Sequence, residues 1–437
     1  MFENILYQNN VITRLKNDIG KASLAPSILF SGPEFSGKGT TALELARVLG
    51  CEDDAGQGNW NCSCTSCKLH RNLVSPDLIL LGKKHFFAEC SASAGAFLRQ
   101  TDNAGCKMLF IRSVRKLLAR FNSILWEDDQ KFGKLKSQIE GLEEELEDIE
   151  LMDENPEKKC QAIIKKAVKL EKEGFGTGIP LAQIRKAAYW CRMAPLGRHK
   201  CVIMENAEHM QEGAKNSLLK ILEEPPAQLT IILTSSSPMI LLPTIVSRLR
   251  EYQFARRSAE AQDEIIKRIF RENSGGLDKT AITIKSYLAS FLPVNSETLY
   301  SLGAFFITSV VSAPFINKTA LVLDLRTFAA SLAKEGGMGL PGADCKTTVE
   351  KIMTTAEHFE IPGLFKRFLQ QCCAVLSAWL VINNNNRGSV NELSLERALC
   401  AEHWQKELNQ SIIEQETFNI SPELVLEGLF ERLKTGM

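Results

Sequence analysis

Along the chain, apolar residues first recur at every fourth position, as Val11, Leu15 and Ile19, a spacing that predicts a helix. They then bunch into a short run over 27–30, give way to a Gly-rich turn, and resume helical spacing over 40–49. A strand, a glycine turn and a helix in that order form half of a mononucleotide-binding unit. The pattern returns much later: 200–204 is apolar and flanked by charge, 214–222 repeats at helical spacing, and 229–233 ends in a Ser-rich loop before 240–249. Strands alternating with helices imply an α/β fold with a parallel sheet covered by helices on both faces.

The stretch between these halves, about 80–178, has a different character. From Phe132, the residues Leu135, Ile139, Leu142, Leu146 and Ile149 alternate in steps of three and four, and Glu140, Glu143, Glu144, Glu145, Glu147, Asp148 and Glu150 surround them. After Asn155-Pro156 a second stripe, Ile163, Ala167 and Leu170, is ringed by Lys158, Lys159, Lys165, Lys166, Lys169 and Lys172. An acidic arm folding back on a basic one predicts an antiparallel coiled-coil hairpin. Such an arm is either a solvated protrusion or a docking arm for a partner. Beyond Arg256 strand signals fade, and helices follow one another with breaks at Gly275-Gly276, Pro293, 336–342 and 383–388. Within this all-α third, 370–379 reads as a buried helix in which Cys372 and Cys373 are packing residues.

Length and charge narrow the picture. A chain of 437 residues holds two to four domains at ~150 residues each. With 52 Lys and Arg against 52 Asp and Glu there is no basic excess to neutralise phosphates, so any nucleic-acid role is local or shared with partners. With 44% hydrophobic and 24% charged residues the composition is that of a folded soluble protein. The opening MFENILYQNNVITRLK lacks the apolar core of a secretory signal, and the longest apolar stretch, 302–315, is interrupted by Thr308, Ser309, Ser312 and Pro314. A cytoplasmic setting without membrane contact is expected, where the 13 cysteines stay reduced and serve as metal ligands or packing residues.

Three constellations carry candidate chemistry. Gly32-Pro33-Glu34-Phe35-Ser36-Gly37-Lys38 has the form of a P-loop, lying after a strand and before a helix, with backbone N–H groups to cradle phosphates and Lys38 to reach the terminal ones. Gly39 stands where Ser or Thr would hold Mg²⁺, and Thr40 comes one residue late, so the loop either binds ATP with a weakened Mg²⁺ site or is vestigial. Cys51, Cys62, Cys64 and Cys67 follow closely and suit a structural, tetrahedral Zn²⁺, although Cys62-Ser63-Cys64 is tighter than the usual two-residue gap. Glu205 ends the 200–204 strand and is placed to help with metal, but Asn206 follows where a competent ATPase carries a second carboxylate.

In order, these pieces resemble the clamp-loader subunits of bacterial DNA polymerase III, which are AAA+ proteins, and within them the delta prime branch more closely than gamma/tau. The resemblance rests on FENILYQNNVITRLK, GPEFSGKGTTALELARVLGC, the cysteine cluster ending in SPDL, and above all NSLLKILEEPP followed by LLPTIVSR. It implies an AAA+ module over 1–252, with a zinc module at 51–67 and the helical insertion at about 80–178, then a helical lid over 253–300 and an oligomerisation collar over 301–437. It also implies other clamp-loader subunits (gamma/tau and delta), the sliding clamp and, through the complex, primed DNA as partners. Ser247-Arg248 matches the family's Ser-Arg-Cys motif, with Leu249 in place of Cys, and implies an arginine finger reaching a neighbouring subunit's nucleotide; LLPTIVSR is expected to put Arg248 at the start of a helix. The P-loop set Gly32, Gly37, Lys38, Gly39 and Thr40, with Glu205, would hold nucleotide. Tyr7 stands where the family has Gly, 294–298 lacks the second sensor's Arg, and Ser235 and Ser236 lie near the first sensor. With Gly39 and Asn206, these departures imply a subunit that hydrolyses ATP poorly or not at all. The alternatives are an active gamma/tau-type ATPase, a nucleotide-independent scaffold and, from Gly37-Lys38-Gly39-Thr40, a nucleoside monophosphate kinase, which explains neither the cysteines nor LEEPP.

Overall fold

Four strands bury every residue, as strands covered on both faces do: β1 (Ser27–Ser31), β2 (Leu78–Leu81), β3 (Lys200–Met204) and β4 (Leu229–Ser235). A fifth, β5 (Arg250–Gln253), buries Tyr252 alone. All pair in parallel in the order β2-β3-β4-β1-β5, so β5 is an edge. This belongs to a computed structural model that describes residues 1–437 other than 54–57, 83–84, 128, 152–154, 176–177, 273–282, 315–318, 340–343, 357–358, 360–362, 385–391, 419 and 436–437. The chain divides into two compact units, Met1–Phe291 and Leu292–Met437.

In the first unit, alternation along the strands sends Ile28, Phe30, Leu80, Ile203 and Ile232 to one face of the sheet. There they meet Val11 and Leu15 of α1 (Asn9–Gly20) and Ala42, Leu45 and Ala46 of α2 (Lys38–Leu49). Helix α3 (Thr65–Asn72) packs beside α2. The opposite face, with Leu29, Ile79, Val202, Ile231 and Leu233, shares one buried cluster with the segment inserted after β2 and with residues of 184–191 and 214–222.

That segment is more than a hairpin. It comprises α4 (Phe87–Arg99), α5 (Ala104–Leu118), the single turn α6 (Ser123–Trp126), α7 (Gln130–Leu151) and α8 (Pro156–Gly174). Helices α7 and α8 run antiparallel: Gln138 bonds Glu173 and, further along, Lys166 pairs with Glu145. Leu135, Leu142, Leu146 and Ile149 of α7 are buried with Cys160, Ile163, Ala167 and Leu170 of α8, in one cluster with the sheet. Pro156 opens α8 behind an N-cap, Asn155, in the left-handed conformation (φ 66°) that Asn tolerates. Ala92 and Ala96 of α4 pack on α12 (Ala259–Phe270) and α13 (Ile284–Ser290), where Arg99 also reaches Glu272 at 2.8 Å. Between lie α9 (Leu181–Cys191), α10 (Glu212–Glu223) and the single turn α11 (Pro243–Val246).

The second unit is helical among its described residues: α14 (Ser296–Val311), α15 (Ala320–Glu335), α16 (Cys345–Thr355), α17 (Leu364–Asn384), α18 (Glu392–Phe418) and α19 (Pro422–Thr435). Buried on almost every side, α14 sets Phe306 between Phe368 and Phe430, and Gly303 lets Cys372 approach. Burial raises the thiol pKa of Cys372 well above normal and that of Cys373 to about 11, as expected of packing cysteines. Gly275-Gly276 and most of 383–388 lie outside the described residues. No described helix is long and apolar enough to cross a membrane.

Candidate functional site

The loop between β1 and α2 is shaped by three left-handed residues, Gly32 (φ 136°), Phe35 (φ 58°) and Gly37 (φ 100°), the last serving as N-cap of α2. Backbone N–H groups of such a loop and the start of its helix are suited to hold phosphate. Lys38 is buried and donates to the carbonyls of Gly32 and Pro33. Burial pushes the Lys38 pKa down, while the carboxylates of Glu208, Glu34 and Glu205 pull the other way. Thr40 is exposed, and the Thr41 hydroxyl returns to the Gly37 carbonyl at 3.0 Å. Two residues brace the loop from outside: Gln8 donates to Ser36 O (3.1 Å) and Ala255 O (2.8 Å), and Arg257 to Phe35 O (2.7 Å) and Leu6 O (3.1 Å). Tyr7, beside Gln8, holds φ 59°, the backbone state that a glycine there would adopt freely.

Glu205 follows β3 and is brought to Gly39, so near that a Cβ on Gly39 would overlap its Oε1. Its other oxygen is bound by the guanidinium of Arg120, from the inserted segment. Asn206 adopts a left-handed φ of 54° and its N–H donates to Thr234 Oγ1 at 3.2 Å. Glu208 accepts from the hydroxyl (2.7 Å) and N–H (3.0 Å) of Ser236. Burial raises the Glu208 pKa, but these and its own backbone hydrogen bonds win and hold it below the ordinary value.

At the other end of α2, the sulfurs of Cys51, Cys62, Cys64 and Cys67 all lie within 4.8 Å of one another. Four thiolates about 2.3 Å from a tetrahedral Zn²⁺ sit about 3.8 Å apart, and Cys51 and Cys62 are 3.7 Å apart. That is far beyond the roughly 2 Å of a disulfide. The donor set therefore fits Zn²⁺. Arg47, buried, donates to Cys67 Sγ (3.1 Å) while its Nε and Nη2 clasp Glu44 (2.9 and 2.7 Å). Burial raises the Cys64 pKa, but hydrogen bonds from the backbone and from neighbouring thiols outweigh it and draw the thiol down to about 7.

Arg248 differs from its expected place. It does not begin a helix but follows the single turn α11, ahead of the edge strand β5. Pro243 starts that turn, and the chain then needs Arg250 to extend alongside β1. The guanidinium donates to Thr244 O and pairs with Glu223 of the LEEPP stretch, each at 2.7 Å, with a third of the side chain exposed. The structure thus gathers Gly32, Gly37, Lys38, Gly39 and Glu205 at the carboxyl ends of β1 and β3, where open α/β sheets bind ligands. Sequence reasoning missed Arg120, Glu208 and Arg257. None of the three sits in a motif; Arg257, in FARRSAE, takes on its role only once β5 sets it beside the loop.

Comparison with known proteins bears on this arrangement. A family model described as DNA polymerase III, delta subunit, matches residues 7–258, more than half of the chain. The chain belongs to that family. Among curated relatives, the delta' subunit of DNA polymerase III from Pseudomonas aeruginosa is 42% identical over 80 residues, 18% of this chain and 24% of that protein. The delta' subunit from Bacillus subtilis is 35% identical over 94 residues (21% and 29%), and the gamma/tau subunit from Mycobacterium bovis 30% identical over 112 (25% and 19%). The chain thus matches between 19% and 29% of the length of these relatives. A gamma subunit-related protein from Thermotoga maritima is 17% identical, covers 60% of this chain and 80% of its own, and superposes with a TM-score of 0.24. The clamp-loader resemblance is therefore upheld at the level of the family, and the five-stranded parallel sheet fits it.

Proposed function

We propose that this chain is a subunit of the bacterial clamp loader that helps place the sliding clamp on primed DNA, lends Arg248 to the nucleotide of a neighbouring subunit, and itself turns over ATP poorly or not at all. The observation that carries the reading is a contrast within one module. Arg248 is partly exposed and held by a surface carboxylate it can exchange for phosphate, whereas the Glu205 carboxylate is engaged by Arg120 and followed by Asn206. A planar, permanently charged guanidinium suits a γ-phosphate across a subunit boundary. Residues 253–300 then act as the lid and 301–437 as the collar that joins gamma/tau and delta subunits. Zn²⁺ on Cys51, Cys62, Cys64 and Cys67 stiffens the turn after α2. The relatives, all DNA polymerase III subunits, support this assignment.

Reconstitution with the other subunits, clamp and primed DNA tests it. In a ring where only the neighbouring site is competent, Arg248→Ala is expected to leave assembly intact and lower DNA-stimulated turnover by at least ~10-fold, with little rescue by Arg248→Lys. Full turnover by the Arg248→Ala ring would overturn the finger role, and failure of the wild-type chain to join the ring would overturn the assignment itself. Phosphate release by the isolated chain should not exceed that of Lys38→Ala.

A further inference from the structure

In a P-loop module the divalent cation is held between a hydroxyl just after the loop lysine and a carboxylate at the end of a neighbouring strand. Both places are altered here, and the alterations interlock. Gly39 offers no hydroxyl, and Glu205 Oε1 leaves no room for even a Cβ there. Glu205 Oε2 is bound by Arg120, whose side chain is 3% exposed. A phosphate would find the loop's N–H groups and draw Lys38 from the Gly32 and Pro33 carbonyls, but Mg²⁺ would find neither its hydroxyl nor the strand-end carboxylate of Glu205 at liberty to bind it.

Arg120 is built in rather than leaning in. Its Nε donates to Gly82 O at 2.9 Å, Nη1 to Lys116 O and Nη2 to Glu205. The plane of the guanidinium lies over the Phe86 ring, 4.8 Å from its centroid. Its own carbonyl accepts from the Trp126 indole at 2.8 Å, which fixes the backbone beneath it. Gly82 is itself pressed against Glu205, since a Cβ there would overlap the Glu205 carbonyl oxygen. If Arg120 swung away, it would give up its ion pair with Glu205 and empty its own buried niche, an outcome that buried guanidinium groups resist strongly.

We propose that the inserted segment, through Arg120, replaces the divalent cation of this loop with a fixed guanidinium, so that the chain's affinity for nucleotide gains nothing from Mg²⁺. A guanidinium carries one positive charge in one orientation and cannot trade ligands with water, so it balances Glu205 permanently without serving as an exchangeable metal. This gives the insertion a definite task at the loop. The inference rests on reading the loop as a phosphate cradle and not on ring assembly.

The test uses the full, zinc-loaded chain and fluorescent ATP, titrated with and without added Mg²⁺ and without a strong chelator, which would strip the cysteine cluster. For the wild type both curves should show binding and agree within about twofold; no binding in either, or tightening by Mg²⁺ of about 10-fold or more, overturns the proposal. In Arg120→Gln combined with Gly39→Ser, which frees the carboxylate and restores the hydroxyl, Mg²⁺ should tighten binding by about 10-fold. If this variant is folded by circular dichroism and remains indifferent to Mg²⁺, Arg120 is not what closes the site and the proposal fails. Should the variant not fold, the wild-type pair of titrations decides alone. Because the ring is absent from this experiment, its failure and that of the Arg248 reading are told apart.

Discussion

The two ends of α2 have opposite needs. At its N-terminus Lys38 is satisfied by the loop's own carbonyls, and the nearby carboxylate of Glu205 already has Arg120. At its C-terminus four sulfurs face one another with one guanidinium, Arg47, and that cation is already clasped by Glu44. One end is closed on itself; the other gathers more ligand atoms than the protein has cations to balance. The difference shows that a cluster of titratable side chains asks for a metal only when the chain has not supplied a counter-charge.

If that comparison holds, removing metal should hurt at one end only. Purified, reduced protein is expected to hold one zinc by elemental analysis, and a chelator or Cys67→Ser should lower Tm by about 5–10 °C, a few kcal/mol for a unit of this size. No zinc and an unchanged Tm would make the two ends alike. Next in size, Arg47→Met should weaken zinc binding by about 10-fold or more, read by competition with a chromophoric chelator, because partners of a ligating atom typically tune affinity on that scale. An unchanged zinc affinity would mean that Arg47 only packs.

At the closed end, Gly39→Ala sets two effects against each other. Helix propensity favours alanine by roughly 1 kcal/mol, whereas overpacking against Glu205 costs about 1–3. A net fall in Tm is expected, and it should vanish when Glu205→Ala is added; a rise would mean that Glu205 moves aside easily. The smallest effect belongs to a pair with no such surroundings. Lys166 and Glu145 bridge α7 and α8 at the surface, and Lys166→Ala should change stability by less than about 1 kcal/mol in chemical denaturation.

Legibility followed burial only in part: β2 (Leu78–Leu81) is buried at every position yet went unread, because its four residues run straight into the insertion. Strands β1, β3 and β4 were readable because each is a continuous apolar run buried on both faces. Strand β5 was not, since Tyr252 is its single buried residue and the others face water, so LLPTIVSR was expected to lead into a helix at Arg248 instead of a strand. The arms of α7 and α8 announced themselves by period and charge, whereas α4 and α5, packed between sheet, hairpin and α12–α13, lack a clean polar face. The four cysteines were legible from spacing alone, since few other arrangements put so many thiols in so short a stretch. Arg120 was not: it lies in LLARFN, with no motif around it, and gains its meaning only when the fold carries it to the end of β3.

Strand order also sets a timetable for synthesis. β1 is made by residue 31, yet its two partners are Ser27–Ser31's neighbours at 231–235 and 250–253. At about 5–20 residues per second, an apolar strand waits roughly 10–40 s before either edge is paired. Every helix between β2 and β3 lengthens that delay. Nascent chains of this protein are therefore expected to engage holding chaperones through their first segment, and chains halted before β4 to precipitate, so the insertion that supplies Arg120 also determines how long the ribosome must expose the strand beneath the loop.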